Sequence, residues 1–149
     1  MNAECMPWVF SDGGRSAAGF KGSAGDCLCR AVAIASGRPY AVVYADLARL
    51  SEHERSPRRG KKSHPRLGVH CGKAWVKEFM GSLGASWVPT MQIGSGCKVH
   101  LRANELPAGR LVAMLSRHAV AVVDGVIYDV SDPSRNGSRC VYGFWRFPT

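Results

Sequence analysis

One cysteine stands where a glycine-rich loop gives way to an apolar helix. The stretch GDCLCRAVAIA begins at residue 25 and places Cys27 at the start of that predicted helix. Unpaired N–H groups and the positive end of the helix dipole stabilise a thiolate at such a position. A histidine that accepts the thiol proton and a carboxylate that orients its ring would complete the groups that thiol acyl transfer requires.

The segment HAVAVVDGVIYDVSDPS, residues 118–134, supplies both partners on a predicted β-hairpin. The Asp-Gly pair in its middle is a favoured two-residue turn, and that turn sets the register of the two strands. In this register His118 and Asp129 share one face, close enough for the carboxylate to reach the imidazole. Asp132 points to the opposite face unless a bulge intervenes, so it is the second choice for the orienting acid.

The neighbours of Cys27 bear on how reactive its thiol would be. Its own backbone N–H is placed to donate to an oxyanion formed at a substrate carbonyl. Asp26 is a good helix N-cap, but its negative charge opposes thiolate formation unless backbone N–H groups bind its oxygens. Cys29 points to another side of the helix and is expected in the core.

The order of the predicted elements gives an α+β fold. Apolar spacing predicts helices from residue 27 to a stop at Gly37, over 40–54 and over 73–83. Strands are predicted over 86–92, 98–102, 110–115, 118–123, 126–131 and 139–146. Helices followed by strands indicate an N-terminal helical half packed on a C-terminal antiparallel β-sheet. We expect a single domain over 1–149, with a loop or arm at 1–25 and a basic loop at 55–66.

Composition excludes a membrane protein. Apolar residues make up 46% of the chain and charged residues 21%, and no apolar run approaches the length that spans a bilayer. The first residues lack the pattern of a signal peptide, so a cytoplasmic location is expected. The six cysteines are scattered through the chain, and free thiols are expected in that compartment.

The formal net charge of +9 is concentrated in one run that contains no acid. Its cations are Arg55, Arg58, Arg59, Lys61, Lys62 and Arg66. A block of like charges is typical of a solvated, mobile surface loop. The alternative is a patch for nucleic acid or another acidic partner, although no aromatic residue interleaves the run as single-strand binding would favour.

A metal centre is the competing chemistry for the cysteines and histidines. The candidate ligands are Cys27, Cys29, His70, Cys71, Cys97 and His100. Their spacing lacks the paired two-residue gaps of zinc sites. We therefore predict no metal and no cofactor.

The chain resembles the papain-like superfamily of cysteine peptidases and transglutaminase-like enzymes in the order of its candidate residues. A cysteine on a first helix is followed by a hairpin that begins His-Ala-Val and ends in a carboxylate. A closer resemblance is to small papain-like proteins of bacteriophages and prophages. It rests on the hairpin segment and on two further patterns, GDCxxRAxAxAxGxPYxxVY (25–44) and IGSGCKVHLRANELPAGRL (93–111). The resemblance implies a papain-like fold, with Cys27 as nucleophile, His118 as base and Asp129 as orienting acid. If the chain is phage-encoded, the expected location is the host cytoplasm.

One position departs from the papain-like pattern. Those peptidases carry a glutamine six residues before the cysteine as an oxyanion donor, and this chain has Lys21 there. The expected function is a thiol hydrolase or acyl transferase acting on peptide or isopeptide amide bonds. The alternatives are a catalytically idle scaffold that binds nucleic acid or a host protein through the basic loop, and an inhibitor that acts on a host protein by contact alone.

Overall fold

A computed structural model describes residues 5–22, 24–55, 57–92 and 94–149 of the chain. Residues 1–4 and 23 of the predicted arm and residue 56 of the basic loop lie outside the described part. Within it, the predicted helices are found as α1 (Cys27–Ser36), α2 (Tyr40–Ser51) and α3 (Ala74–Ser82). α1 ends because Gly37 adopts a φ of 74°, where glycine alone is unstrained, and its N–H donates to the carbonyl of Ala33.

The strands form one six-stranded mixed sheet in the described residues. They are β1 (Trp8–Phe10), β2 (Ser86–Pro89), β3 (Arg110–Leu115), β4 (His118–Val123), β5 (Val126–Asp129) and β6 (Gly143–Phe147). The spatial order is β1-β5-β4-β3-β6-β2, and only β1 and β5 run parallel. The α+β class is confirmed. The prediction of a purely antiparallel sheet is wrong because β1 comes from the segment expected to be a loop or arm.

The hairpin of β4 and β5 has the register that the sequence predicts. Val123 lies opposite Val126, and the pairing continues from Val122 and Ile127 toward the open end. Asp124 and Gly125 both have positive φ, at 48° and 79°, as a two-residue type I′ turn requires.

The predicted strand over 98–102 is wrong, and so is the expectation that all cysteines are free. This segment forms a loop with one isolated bridge, between His100 and Cys140. Cys97 and Cys140, 43 residues apart, form a disulfide. The free cysteines of the described residues are Cys5, Cys27, Cys29 and Cys71. Pairing between such distant segments leaves no local spacing signal.

The inner strands of the sheet are buried on both faces, whereas the edge strands β1 and β2 are exposed. α1 packs against β4 and β3, over apolar side chains that include Val112, Ala119 and Ala121. The other face is covered by chain segments without helix, which supply Met6, Leu101 and Val141. No helix among the described residues is long and apolar enough to cross a membrane.

The basic loop follows a hydrogen-bonded path over its second half. His64 and Gly68 exchange backbone hydrogen bonds of 2.9 and 2.8 Å. The buried Glu54 carboxylate accepts from the Ser63 N–H at 2.7 Å and from the Trp75 indole at 2.9 Å. These contacts show structure that the run of charges did not indicate.

Candidate active site

Cys27 is the first residue of α1, and its half-buried side chain faces β4. Burial raises the pKa of the Cys27 thiol, but the hydrogen bond to His118, the N–H of Ala119 and the charges of His118 and Arg30 outweigh it. The net effect places the pKa of this thiol below its ordinary value. The site therefore favours a thiolate paired with an imidazolium.

His118 bridges the thiol and a carboxylate. Its Nε2 donates to Oδ2 of Asp129 at 2.7 Å, which leaves Nδ1 as the ring nitrogen for Cys27. The hydrogen bond to Asp129, followed by that to Cys27, raises the pKa of His118 to about 9. The structure thus brings together the three residues that the sequence analysis selected, in the order thiol, imidazole and carboxylate.

The carboxylate of Asp129 is itself held from several sides. Oδ1 accepts from the Val130 N–H at 2.7 Å and lies 3.4 Å from Nη2 of Arg30. Its backbone carbonyl accepts from the Trp8 indole and from the Ser11 N–H, each at 3.0 Å. Burial would raise the pKa of Asp129, but His118 keeps it below its usual value. Asp129 therefore stays ionised and fixes the plane of the imidazole.

Asp26 does not act as the side-chain cap that the sequence predicts. Its buried carboxylate makes no cap hydrogen bond and instead pairs with the guanidinium of Arg30. Tyr40 donates its hydroxyl to Oδ2 of Asp26 at 2.5 Å, and Nε of Arg15 lies 3.5 Å from the same oxygen. The negative charge beside Cys27 is thus balanced by arginine rather than by backbone N–H groups.

Asp132 lies outside the array. Its Oδ1 accepts from the Ser134 N–H at 2.9 Å, in a local turn of the kind that Asp before Pro favours. Its side chain is exposed on the segment that follows β5. The imidazole bonds to Asp129 instead, as the hairpin register predicts.

The backbone N–H of Cys27, the expected oxyanion donor, lies at the start of α1. The N–H of Cys27 opens the helix and has no acceptor within it. Lys21 is exposed, and its backbone carbonyl accepts from the guanidinium groups of Arg15 and Arg66, at 3.0 and 3.3 Å. Lys21, which stands where papain-like peptidases carry glutamine, therefore lies in a loop that two arginines hold in place.

His118 lines two cavities. One, of about 270 Å³, is lined by His118, Cys71, Met114 and Val69 among others. It shares Cys71 and Met114 with an apolar cavity of about 290 Å³ walled by Trp87 and Trp145. A further cavity shares His118 and Arg117 with the first and is lined by three arginines. The histidine that bonds to Cys27 therefore borders two cavities.

Arg30 and Tyr40 are parts of the site that sequence reasoning missed. Arg30 is buried and contacts both Asp26 and Asp129, and Tyr40 donates to Asp26. The four-residue spacing of Asp26 and Arg30 on a helix was a usable signal. The contact between Arg30 and Asp129 was not, because 99 residues separate them.

No group of three His, Cys, Asp or Glu side chains among the described residues is arranged to hold a metal ion. Burial raises the pKa of Cys29 to about 12, in keeping with a core residue rather than a ligand.

The chain matches no protein-family model, no curated protein and no solved structure. What the site can do therefore follows from its own geometry.

Proposed function

We propose that the protein is a cysteine hydrolase or acyl transferase that acts on peptide or isopeptide amide bonds. The observation that carries the proposal is the continuous array of Cys27, His118 and Asp129 at the N-terminus of a buried helix. A thiol of lowered pKa, an imidazole that shares its proton and a buried carboxylate are together what nucleophilic thiol catalysis needs. A papain-like arrangement of helix and hairpin is part of the same proposal.

The chemistry starts from the thiolate–imidazolium pair. The Cys27 sulfur attacks the amide carbon, a C–S bond forms, and the carbonyl electron pair moves to oxygen beside the Cys27 N–H. Collapse of this oxyanion breaks the C–N bond, and the His118 proton passes to the leaving amine. A thioester and a neutral imidazole remain.

Release regenerates the enzyme. His118 takes a proton from water or from an incoming amine as that nucleophile attacks the thioester carbon. The C–S bond breaks, the acid or new amide departs, and the thiolate–imidazolium pair is restored. Asp129 holds the ring orientation through both halves of the cycle.

Alkylation by iodoacetamide near neutral pH tests the nucleophile. Cys27→Ala should abolish the fast labelling phase, because a thiol of ordinary pKa reacts slowly there. Cys29→Ala is the matched control from the same helix and should leave that phase intact. Cysteine-dependent cleavage or transfer in a pool of short peptides, read by mass spectrometry, then tests the chemistry. If Cys27→Ala labels and cleaves like the parent chain, the proposal is wrong.

The exposed cations of the basic loop favour a second candidate, a binding module in which the thiol chemistry is idle. Arg58, Arg59 and Lys61 are exposed and form no ion pair among the described residues. Such a surface attracts phosphate backbones or acidic proteins. If a variant without these three charges keeps the full reactivity of the Cys27 thiol, the basic loop and the array of Cys27, His118 and Asp129 serve separate functions.

A further inference from the structure

A cavity of about 410 Å³ borders His118, and none of the tryptophans lines it. It lies between the turn that joins β3 to β4 and the segment that follows β5. Its charged lining residues, besides His118, are Arg117, Arg135, Arg139 and Asp132. We call this set of side chains the arginine pocket.

The arginine pocket carries more positive charge than its own residues neutralise. Arg139 donates to the backbone carbonyls of Ser116, at 2.6 Å, and Pro133, at 3.5 Å, and so fixes its position without meeting a carboxylate. Arg117 and Arg135 form no ion pair within the described part of the chain. Asp132 is the one acid among the described lining residues, so an excess of cationic charge faces the cavity.

The arginines also repel one another. Burial, followed by the nearby charge of Arg135, lowers the pKa of Arg139. An anion placed between these guanidinium groups would relieve that repulsion and accept their N–H donors in the planar geometry that suits a carboxylate. Water carries no net charge and cannot neutralise the guanidinium groups in this way.

The backbone places two of these arginines at unfavourable positions. Arg117 and Arg135 have φ of 58° and 52°, in the left-handed region where a long side chain costs about 1 kcal/mol. Glycine or asparagine would form the same turns at less cost. The turn geometry therefore does not explain why arginine stands there, whereas binding of an anion does.

We infer that the arginine pocket binds a carboxylate of the substrate next to the bond that Cys27 attacks. The inference rests on the proposed function, since it takes His118 as the boundary between the reacting carbonyl and the pocket. The carboxylate comes from an acidic side chain or from the C-terminus of a peptide. Such substrates would be preferred over their uncharged amide counterparts.

Two small electrophiles that differ only in charge test the pocket. Iodoacetate and iodoacetamide alkylate the same sulfur, and the ratio of their rates, normalised to free cysteine, reports attraction of a carboxylate to the site. In the double variant Arg117→Gln, Arg135→Gln this ratio should fall by on the order of tenfold, because the thiolate–imidazolium pair remains while two cations are removed. The matched control Arg38→Gln, Arg110→Gln removes two exposed arginines outside the pocket and should leave the ratio unchanged.

The failures of the two proposals are distinguishable. Fast labelling by both reagents with the same ratio in parent and double variant would overturn the pocket and leave the thiol enzyme standing. Slow labelling by both reagents in the parent would overturn the proposed function and the pocket with it. If the double variant fails to fold, Arg117→Gln alone and the dependence of the parent's ratio on salt decide the matter, since an ionic pocket loses selectivity as salt rises.

Chloroacetylated dipeptides distinguish the source of the carboxylate. One pair differs in a C-terminal acid against an amide, and the other in an internal Glu against Gln. A rate advantage in the first pair that disappears in the double variant assigns the pocket to a peptide C-terminus, and in the second pair to an acidic side chain. Equal rates within both pairs would overturn recognition of a peptide carboxylate.

Discussion

Arg30 lies between two buried carboxylates, one next to the thiol in sequence and one next to the imidazole in space. Its guanidinium pairs with Asp26 and lies 3.4 Å from Asp129, and its side chain is 11% exposed. Two buried carboxylates would otherwise oppose the thiolate and repel each other. Arg30 therefore neutralises carboxylate charge that would otherwise act against the Cys27 thiolate.

The pH dependence of alkylation follows from the Asp129–His118 contact. Asp129→Asn weakens the hydrogen bond and removes the charge that raise the pKa of His118 to about 9, so that pKa falls, the imidazolium stabilises the thiolate less, and the thiol ionises only at higher pH. Iodoacetamide labelling of Cys27 at about pH 6 should slow by on the order of tenfold, and the rates should converge at about pH 10, where the thiol ionises in both chains. Mass spectrometry of timed samples measures this. Asp132→Asn serves as the control and keeps the parent profile; superimposable profiles for parent and Asp129→Asn would contradict the assignment.

Arg30→Met should destabilise the protein by about 3 kcal/mol, because it removes the cation that Asp26 and Asp129 share and leaves them only Arg15 and His118 as charged partners. Asp26→Asn in the same chain removes one of these charges, so the double variant should be more stable than Arg30→Met alone. Urea denaturation of the parent, both single variants and the double variant gives the coupling between Asp26 and Arg30. Strictly additive effects would show that the pair does not interact.

At the scale of elements, predictability follows the range of the interactions. The β4–β5 hairpin and the closeness of His118 and Asp129 could be predicted because an Asp-Gly turn and strict alternation are local signals. β1 could not, because three exposed residues pair with β5 from more than 100 residues away and show no alternation to recognise. The contact between Arg30 and Asp129 has the same long range.

The failed strand prediction over 98–102 has a related cause. Alternating residues there suit a strand, but the segment bonds to the chain around Cys140 through a single bridge and a disulfide. Local preference is overridden by these contacts. The helices were predicted to within a few residues because their burial depends on spacing along one segment.

The pairing of β2 with β6 contains a close approach that a substitution can test. An added Cβ at Gly143 would lie 2.4 Å from two ring atoms of Trp87 and 3.0 Å from the carbonyl oxygen of Val88. Gly143→Ala should therefore destabilise the protein by about 1–3 kcal/mol through overpacking of this strand pair. Gly81→Ala is the matched control, because nothing lies within 4 Å of its added Cβ, and it should stabilise α3 by about 0.5–1 kcal/mol. Thermal unfolding of both variants gives the two signs; shifts in the same direction would refute the contact.

At the scale of the whole molecule, the candidate site draws on distant parts of the chain. β1 and the turn after it fix Asp129 and Asp26 through Trp8, Ser11 and Arg15. The loop that carries Arg66 meets the residues just before Cys27, where the Gly25 N–H donates to the Arg66 carbonyl at 2.7 Å. The second half of the basic loop is therefore part of the wall around α1, whereas its first half offers free cations.

The basic loop predicts salt-dependent binding if its charges serve nucleic acid. In the variant Arg58→Gln, Arg59→Gln, Lys61→Gln, Lys62→Gln, the slope of log affinity against log salt should become shallower by about 3–4, because each lost phosphate contact no longer releases a counterion. Fluorescence anisotropy with a labelled duplex measures the slope. The matched control neutralises Arg38, Lys98, Arg110 and Arg146, which are exposed elsewhere on the chain. Equal changes in the two variants would show that net charge, and not this loop, governs binding. Iodoacetamide labelling of Cys27 should be the same in both variants, because neither alters the array of Cys27, His118 and Asp129.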